Sequence, residues 1–238
     1  LREIGPAAKA AVPALQRLLG GNDEHVRGLA AYALAEIAPE TAFPALLAVL
    51  DDANELVRLG AVGAMQVLGA AAAPAIPGLV RRLGDSDEDV RWAAAAALGE
   101  IGAAAKDAVP ALAEALRDPS ADVRTYAARA LGQIGPDAKT VVPALLAEMR
   151  RADKGDQPYF GLLWALGQMG PEAKAAIPAL IEAGKTSDER VRILAACSRA
   201  QIEKRAGAAL SVLVGSLKNT APRVRCDSAR ALGGRPAG

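Results

Sequence analysis

The 238-residue sequence is poor in the side chains that most protein chemistry uses: it has one His, two Cys, and only 3% aromatic residues. A metal site needs several nitrogen, sulfur or oxygen ligands, and covalent catalysis needs a nucleophile beside its base, so these counts remove most metal and thiol chemistry. Cys197 and Cys226 lie in separate segments without Cys-x-x-Cys spacing and read as structural thiols. His25 sits in an acidic stretch and reads as an exposed structural residue, since a base without a nucleophile does no chemistry. Long apolar runs are lacking too. Arg, Asp, Glu or Gly interrupts each one before about 18 residues, so a soluble chain without a membrane segment is expected. The first residue is Leu1 rather than Met, which leaves a leader neither visible nor excluded; the cytoplasm is the favoured compartment.

What is present is apolar and small. Hydrophobic residues make up 52% of the chain, so with few rings the core must be built from Ala, Leu, Val and Ile, which suits helices at close range. The net charge of +1 hides a polarity. Residues 1–122 hold 10 Lys+Arg against 17 Asp+Glu, a net −7, whereas residues 123–238 hold 18 against 10, a net +8. Such a distribution either steers a charged partner to one end or reflects scatter on solvated helix faces.

Self-similarity dominates the sequence. The string Val12-Pro13-Ala14-Leu15 returns in variants beginning at Phe43, Ile76, Val109, Val142 and Ile177, at steps of 31, 33, 33, 33 and 35 residues. A second string, Val-Arg, falls at 26–27, 57–58, 90–91, 123–124, 191–192 and 224–225, and leads into Ala-Leu-Gly-x-Ile-Gly or a variant. The units read as 6–38, 39–69, 70–102, 103–135, 136–170 and 171–203. Residues 1–5 resemble the end of a truncated unit, and 204–238 form a last, incomplete one. Both ends read as cut from a longer array.

Each unit reads as two helices. Gly-Pro at 5–6, 135–136 and 170–171 predicts a left-handed Gly closing one helix and a Pro opening the next. The inner Pro of Val-Pro-Ala-Leu predicts a kink or restart in each first helix. Acids such as Asp87-Glu88-Asp89 and Asp188-Glu189 open the second helices, where they favour the positive end of the dipole. One such pair cannot bury its apolar face, but stacked pairs make a continuous core.

This pattern resembles the HEAT repeat, in particular the short bacterial type similar to phycobilisome-lyase-like (PBS lyase) repeats, over essentially the whole chain. The resemblance implies an all-α, right-handed solenoid of stacked antiparallel helix pairs, with the second helices lining its concave face. It also implies an inter-repeat ladder from Leu-x-Asp followed six residues later by Arg: Asp52 and Arg58, Asp85 and Arg91, Asp118 and Arg124. The fifth unit departs from it, with Arg151 at the Asp position and Pro158-Tyr159 in place of Val-Arg. Units one, six and seven keep the Arg but carry Gly21, Thr186 and Asn219 at the Asp position, so a ladder complete only in the middle is expected. Arg199 replaces a core Leu in the sixth unit and must snorkel or find a partner.

Counted from Val of Val-Arg as zero, or from Pro158, positions +4, +5 and +8 of the second helices are Ala, Ala and Leu with few exceptions and form the core face. Positions +2, +3, +6 and +10 vary and are expected to face out. Of seven aromatic residues, all but Phe43 lie on second helices at or beside these variable positions. The candidate binding surface is therefore a stripe of Trp92, Tyr126, Tyr159, Phe160 and Trp164 beside Arg129, rimmed by Glu100, Gln133 and Gln168, because aromatics and Arg are favoured interface anchors. The competing reading is that these rings fill gaps between Ala-rich helices.

The function expected is a non-enzymatic scaffold for another protein or peptide, with no cofactor or metal. The alternatives are bilin-lyase-like chromophore handling, in which the groove holds a planar acidic pigment, and nucleic-acid binding on the basic C-terminal half. Nucleic acid is disfavoured, since position +10 offers Glu and Gln rather than Lys or Arg. HEAT-like iron hydroxylases need several His-Glu pairs, which a single His does not supply.

Overall fold

The computed structural model describes residues 5–205 and 207–218. Among them there is helix and no strand, giving an all-α solenoid of helix pairs. The chain divides into two compact units, residues 1–130 and 131–238. In the first unit the first helices are α1 (Val12–Leu19), α3 (Pro39–Ala48), α5 (Ile76–Arg82) and α7 (Val109–Ala115); the second helices are α2 (Glu24–Ile37), α4 (Glu55–Leu68), α6 (Glu88–Ile101) and α8 (Ala121–Ile134), which holds the division. The second unit continues with α9 (Val142–Arg151), α10 (Gln157–Gln168), α11 (Ile177–Ala183), α12 (Glu189–Glu203) and α13 (Gly207–Ser216). Within their own units, α2 packs on α4 and α4 on α6, while α12 packs on α10, α11 and α13.

Local chemistry explains the boundaries. The Val-Pro-Ala-Leu proline lies in the first turn of α1, α5, α7, α9 and α11, where a missing N–H is harmless. Each of these helices follows a seven-residue 3-10 segment, so the expected restart takes the form of a change from tight to regular helix. The exception is α3, which runs through Pro44 as one helix. Four of those 3-10 segments open with Gly in a positive-φ conformation, at Gly69 (+53°), Gly102, Gly135 and Gly170 (+59°), which a Cβ disfavours. Asp23, Asn54, Asp87 and Asp188 cap α2, α4, α6 and α12 by accepting from backbone N–H groups two or three residues on.

Gly69 also bears on membrane character. Leu59–Val80 carries no charged residue, and Glu55–Arg82 is long and apolar enough, at mean hydropathy 1.6, to cross a membrane by length and composition. The expectation that no such stretch exists is corrected here, since glycine interrupts a run without making it polar. The stretch is nevertheless two helices: α4 ends at Gly69, and α5 begins after the intervening 3-10 segment.

The core is as small-chained as the composition requires. Ala93 to Ala97 and Leu98 are all buried along α6, and Leu34, Leu46, Leu79 and Leu112 are fully buried in the first unit. Each such Leu contributes roughly 1.5–3 kcal/mol relative to leaving it exposed. Between α2 and α4 the backbones themselves meet: a Cβ on Gly60 would come within 2.6 Å of the Gly28 carbonyl oxygen. No larger residue fits without separating the helices.

An arginine ladder sets the register in the first unit. Arg27 Nη2 reaches Asp52 Oδ1 at 3.0 Å, Arg58 holds both carboxylate oxygens of Asp85 at 2.8 and 2.7 Å, and Arg91 holds those of Asp118 at 2.8 and 3.1 Å. Each Arg thus pairs with the Asp of the following repeat. The ladder begins at Arg27 rather than only in the middle, because the first rung needs an Asp from unit two and none from unit one.

The same arginines do a second job. Arg58 Nη1 donates to the carbonyls of Asp52 and Ala53, six and five residues back, and so ties down the turn before α4. Arg27, Arg91, Arg124 and Arg192 make the equivalent pair of bonds in their own turns. This explains why units one and six keep the Arg without the Asp. The Asp also serves its own turn: Asp52, Asp85 and Asp118 accept from the N–H two residues on, and Thr186 Oγ1 takes that bond at 3.3 Å in the sixth unit.

Burial pushes the Asp85 carboxyl upward, yet the bonds from Arg58 and the Asp87 N–H outweigh it and leave it below the ordinary carboxylate range. Asp52 behaves likewise, with the Asn54 N–H and Arg27 overcoming burial. The Arg58 guanidinium is held charged by Asp85.

Candidate interaction surface

The variable positions of the second helices do not all face solvent. Position +10 is open or partly open throughout the described residues, from Glu36 to Gln201, but Gly28, Gly60, Ala93, Ala96, Gly161 and Ile193 at positions +2, +3 and +6 are buried. These positions lie where one second helix meets the next, so small residues there close the gap and large ones lean across it.

Tyr159 requires a correction. It is 2% exposed, buried rather than part of a surface stripe, and burial raises its phenol pKa. The reason is its register: it occupies position +1, the ladder-arginine slot, which in the second helices points between repeats. Arg58 in that slot is 7% exposed. The fifth unit has filled an ionic slot with a ring.

In the first unit, Trp92 on α6 and Tyr126 on α8 stack with centroids 4.9 Å apart and planes at 29°. Arg129, exposed on α8, lies 5.6 Å over the Tyr126 ring. The Trp92 indole N–H donates to Asp89 Oδ1 at 2.8 Å, which orients the indole from its own first turn. Trp92 and Tyr126 are both half-buried, and Glu100 is exposed on α6.

The second unit treats its rings differently. Trp164 on α10 leans on Gly132, where a Cβ would meet the indole at 2.6 Å, so this ring fills a notch left by a missing side chain. Phe160 lies under the Arg190 guanidinium at 4.6 Å. Gln133 and Gln168 are half-buried. The sequence marks Asp89 only as a helix-opening acid and does not single out Arg190; both sit one residue before the Val of Val-Arg, a position that the repeat does not keep constant. Their irregular charge there, Asp in unit three and Arg in unit six, was the available signal.

Arg199 resolves by snorkelling: its Nε donates to Glu203 Oε1 at 2.9 Å, one turn along α12. Ser198, beside it, donates to the Leu163 carbonyl at 2.8 Å and fastens α12 to α10. Cys197 is a free thiol whose pKa burial raises. Cys226, Asn219, Arg225 and Arg230 lie outside the described residues. No cluster of three or more His, Cys, Asp or Glu side chains suited to a metal occurs among the described residues.

Comparisons with known proteins agree on the architecture. An engineered protein solved by crystallography superposes with a TM-score of 0.65 at 24% identity, over 81% of this chain and 96% of that one, which shows the fold alone. A second engineered protein gives 0.62 at 25% identity, over 95% and 69%. The complex of CpcE and CpcF of phycocyanin lyase from Nostoc sp. PCC7120 gives 0.65 at 27% identity, over 80% and 76%. No curated protein matches. The family model for HEAT repeats matches residues 1–66, 43–106 and 76–158, and that for the PBS lyase HEAT-like repeat matches 160–183. With the periodicity, the helix pairs and these matches in agreement, the chain belongs to the HEAT-repeat family.

Proposed function

We propose that this protein is a non-enzymatic scaffold that binds another protein or peptide on the surface formed by its second helices. The observation that carries this reading is the Trp92–Tyr126 stack with Arg129 over it. A half-buried pair of rings and a guanidinium, on helices whose core faces are Ala and Leu, has the composition of an interface anchor. HEAT solenoids suit this role because stacked pairs present an extended surface.

The test is affinity capture from the source organism with the wild-type chain, Trp92→Ala, Arg129→Ala, and Phe43→Ala as a control away from the surface. Loss of the same captured proteins in the first two variants, with unfolding temperatures preserved, supports the reading. Unchanged capture by a Trp92→Ala variant that has lost stability would return the ring to the role of packing.

A second reading is chromophore handling, favoured by the PBS lyase HEAT-like match over residues 160–183 and the likeness to the phycocyanin lyase complex. Phe160 and Trp164 would then be the rings in contact with a planar pigment. A shifted visible absorption band on mixing with a linear tetrapyrrole, lost in Phe160→Ala, supports it; an unchanged spectrum rejects it.

A further inference from the structure

The second-helix surface of residues 5–130 is acidic for a reason that net charge alone does not reveal. The ladder arginines are tied to carbonyls and to Asp side chains between repeats. Apart from them, α2, α4, α6 and α8 up to Ala130 carry seven carboxylates and two cations: Arg124, whose guanidinium is held by the Asp118 and Pro119 carbonyls, and Arg129. The remaining cations of this region, Lys9, Arg17, Arg81, Arg82, Lys106 and Arg117, all belong to first helices, their 3-10 leaders or the turns after them. The cations are therefore concentrated on the first helices and their flanking segments, while carboxylates occur on both helix types.

Helix geometry places the acids around the aromatic pair. At about 100° per residue, positions −1, +2, +6 and +10 share one side of a second helix, opposite the Ala-Ala-Leu core positions. Asp89 and Asp122 occupy −1, Trp92 occupies +2, and Glu36 and Glu100 occupy +10. Glu24, Glu55 and Glu88 are exposed along the N-terminal edge. Exposed Leu29, Tyr32 and Leu56 add apolar surface on α2 and at the start of α4. The equivalent helices of the second unit differ: α10 has no charged residue, and α12 carries Arg190, Arg192 and Arg199 against Glu189 and Glu203.

We infer that the second-helix surface of residues 5–130 binds a basic segment of a partner protein, with an Arg or Lys side chain set against the exposed part of the Trp92 ring and neutralised by the surrounding carboxylates. This deepens the scaffold reading and rests on it. Charge complementarity selects the occupant: an acidic or nucleic-acid ligand would meet like charge, and an uncharged apolar segment would desolvate the carboxylates without adding a counter-charge. The Trp92 ring adds cation–π attraction, which favours a guanidinium over a simple counter-ion.

The experiment titrates the full chain with a fluorescein-labelled Arg nonapeptide, and with a Glu nonapeptide as the opposite-charge probe, reading anisotropy at low and physiological salt. Three proteins are compared: wild type, Glu55→Gln/Glu88→Gln/Asp122→Asn on the second helices, and Asp107→Asn/Glu114→Gln/Asp137→Asn on the first helices and their leaders. Both triple variants change the net charge equally. The second-helix variant is expected to weaken the Arg peptide about tenfold, about 1.4 kcal/mol, while the control stays within about twofold of wild type.

Trp92→Ala is expected to weaken the Arg peptide by several-fold without changing its salt dependence. Equal weakening by both triple variants would overturn the inference, since attraction would then follow net charge rather than this surface. Binding of the Glu peptide, or no binding of either, would also overturn it. If the Arg peptide fails while Trp92→Ala still abolishes partner capture, the scaffold reading stands and only the basic partner falls. Failure of both assays removes both.

Discussion

The two compact units are built from one repeat but are held together by different forces. Residues 1–130 use a three-rung ladder of Arg–Asp pairs, the middle one of which, Arg58–Asp85, is buried at both ends. Among the described residues of 131–238 no such rung occurs; the slot holds buried Tyr159 in unit five, and Arg192 of unit six keeps its turn carbonyls and an i−3 contact with Glu189. The repeat therefore needs its inter-repeat slot filled, and either a paired guanidinium or an aromatic ring serves. The two fillings respond differently to perturbation. An ion pair is directional and depends on ionisation, whereas a ring depends on shape and burial.

The comparison breaks most sharply at those slots. Tyr159→Ala is expected to destabilise residues 131–238 by about 3–5 kcal/mol, as large-to-small changes in aromatic cores do. Arg58→Ala takes from the buried Asp85 its bidentate partner, leaving Arg82 and the Asp87 N–H, and is expected to cost the first unit about 3 kcal/mol. Urea unfolding read by a single tryptophan separates the units: Trp164→Phe leaves Trp92 as reporter of the first, and Trp92→Phe leaves Trp164 as reporter of the second. If Arg58→Ala destabilised both reporters equally, the ladder would not be a property of the first unit.

Gly132→Ala comes next, expected to cost about 1–3 kcal/mol, because the added methyl meets the Trp164 ring and α10 must yield. A neutral outcome would mean that the indole swings away freely and is not filling a notch. Acid sharpens the contrast further. Asp52 and Asp85 have lowered folded-state pKa values, so the stability they lend is complete above the unfolded value of about 3.9 and disappears as pH falls through the folded values. On titration downward from about pH 5, the Trp92 reporter is expected to lose stability earlier than the Trp164 reporter. The smallest effect is expected at Arg199→Ala, within about 0.5 kcal/mol, since its Glu203 pair is partly exposed and within one helix.

Much of this architecture is legible along the chain because it repeats. A Pro that recurs every 31 to 35 residues reports the same first helix six times over, and an Ala-Ala-Leu triplet at fixed offsets reports a buried face. The ladder residues were legible as a set, but their pairing was not. Asp52 lies six residues from Arg58, yet it receives the side chain of Arg27; the short sequence distance reflects a shared turn, and the ion pair crosses to the next repeat. The aromatic stripe was legible as a list of variable positions and not as a surface. The same list contains a ring buried in an ionic slot, one seated on a glycine, and two stacked beneath an arginine.

The sequence by itself determined the all-α repeat, the helix boundaries near Pro and Gly, and the small-residue core, since each follows from local conformational preference multiplied by periodicity. Only the tertiary structure decided which carboxylate each arginine meets and which aromatic side chains remain open to a partner. Both depend on the angle and distance at which one helix lies against the next, and for Tyr159 and Trp92 that difference in placement separates a core residue from a candidate anchor.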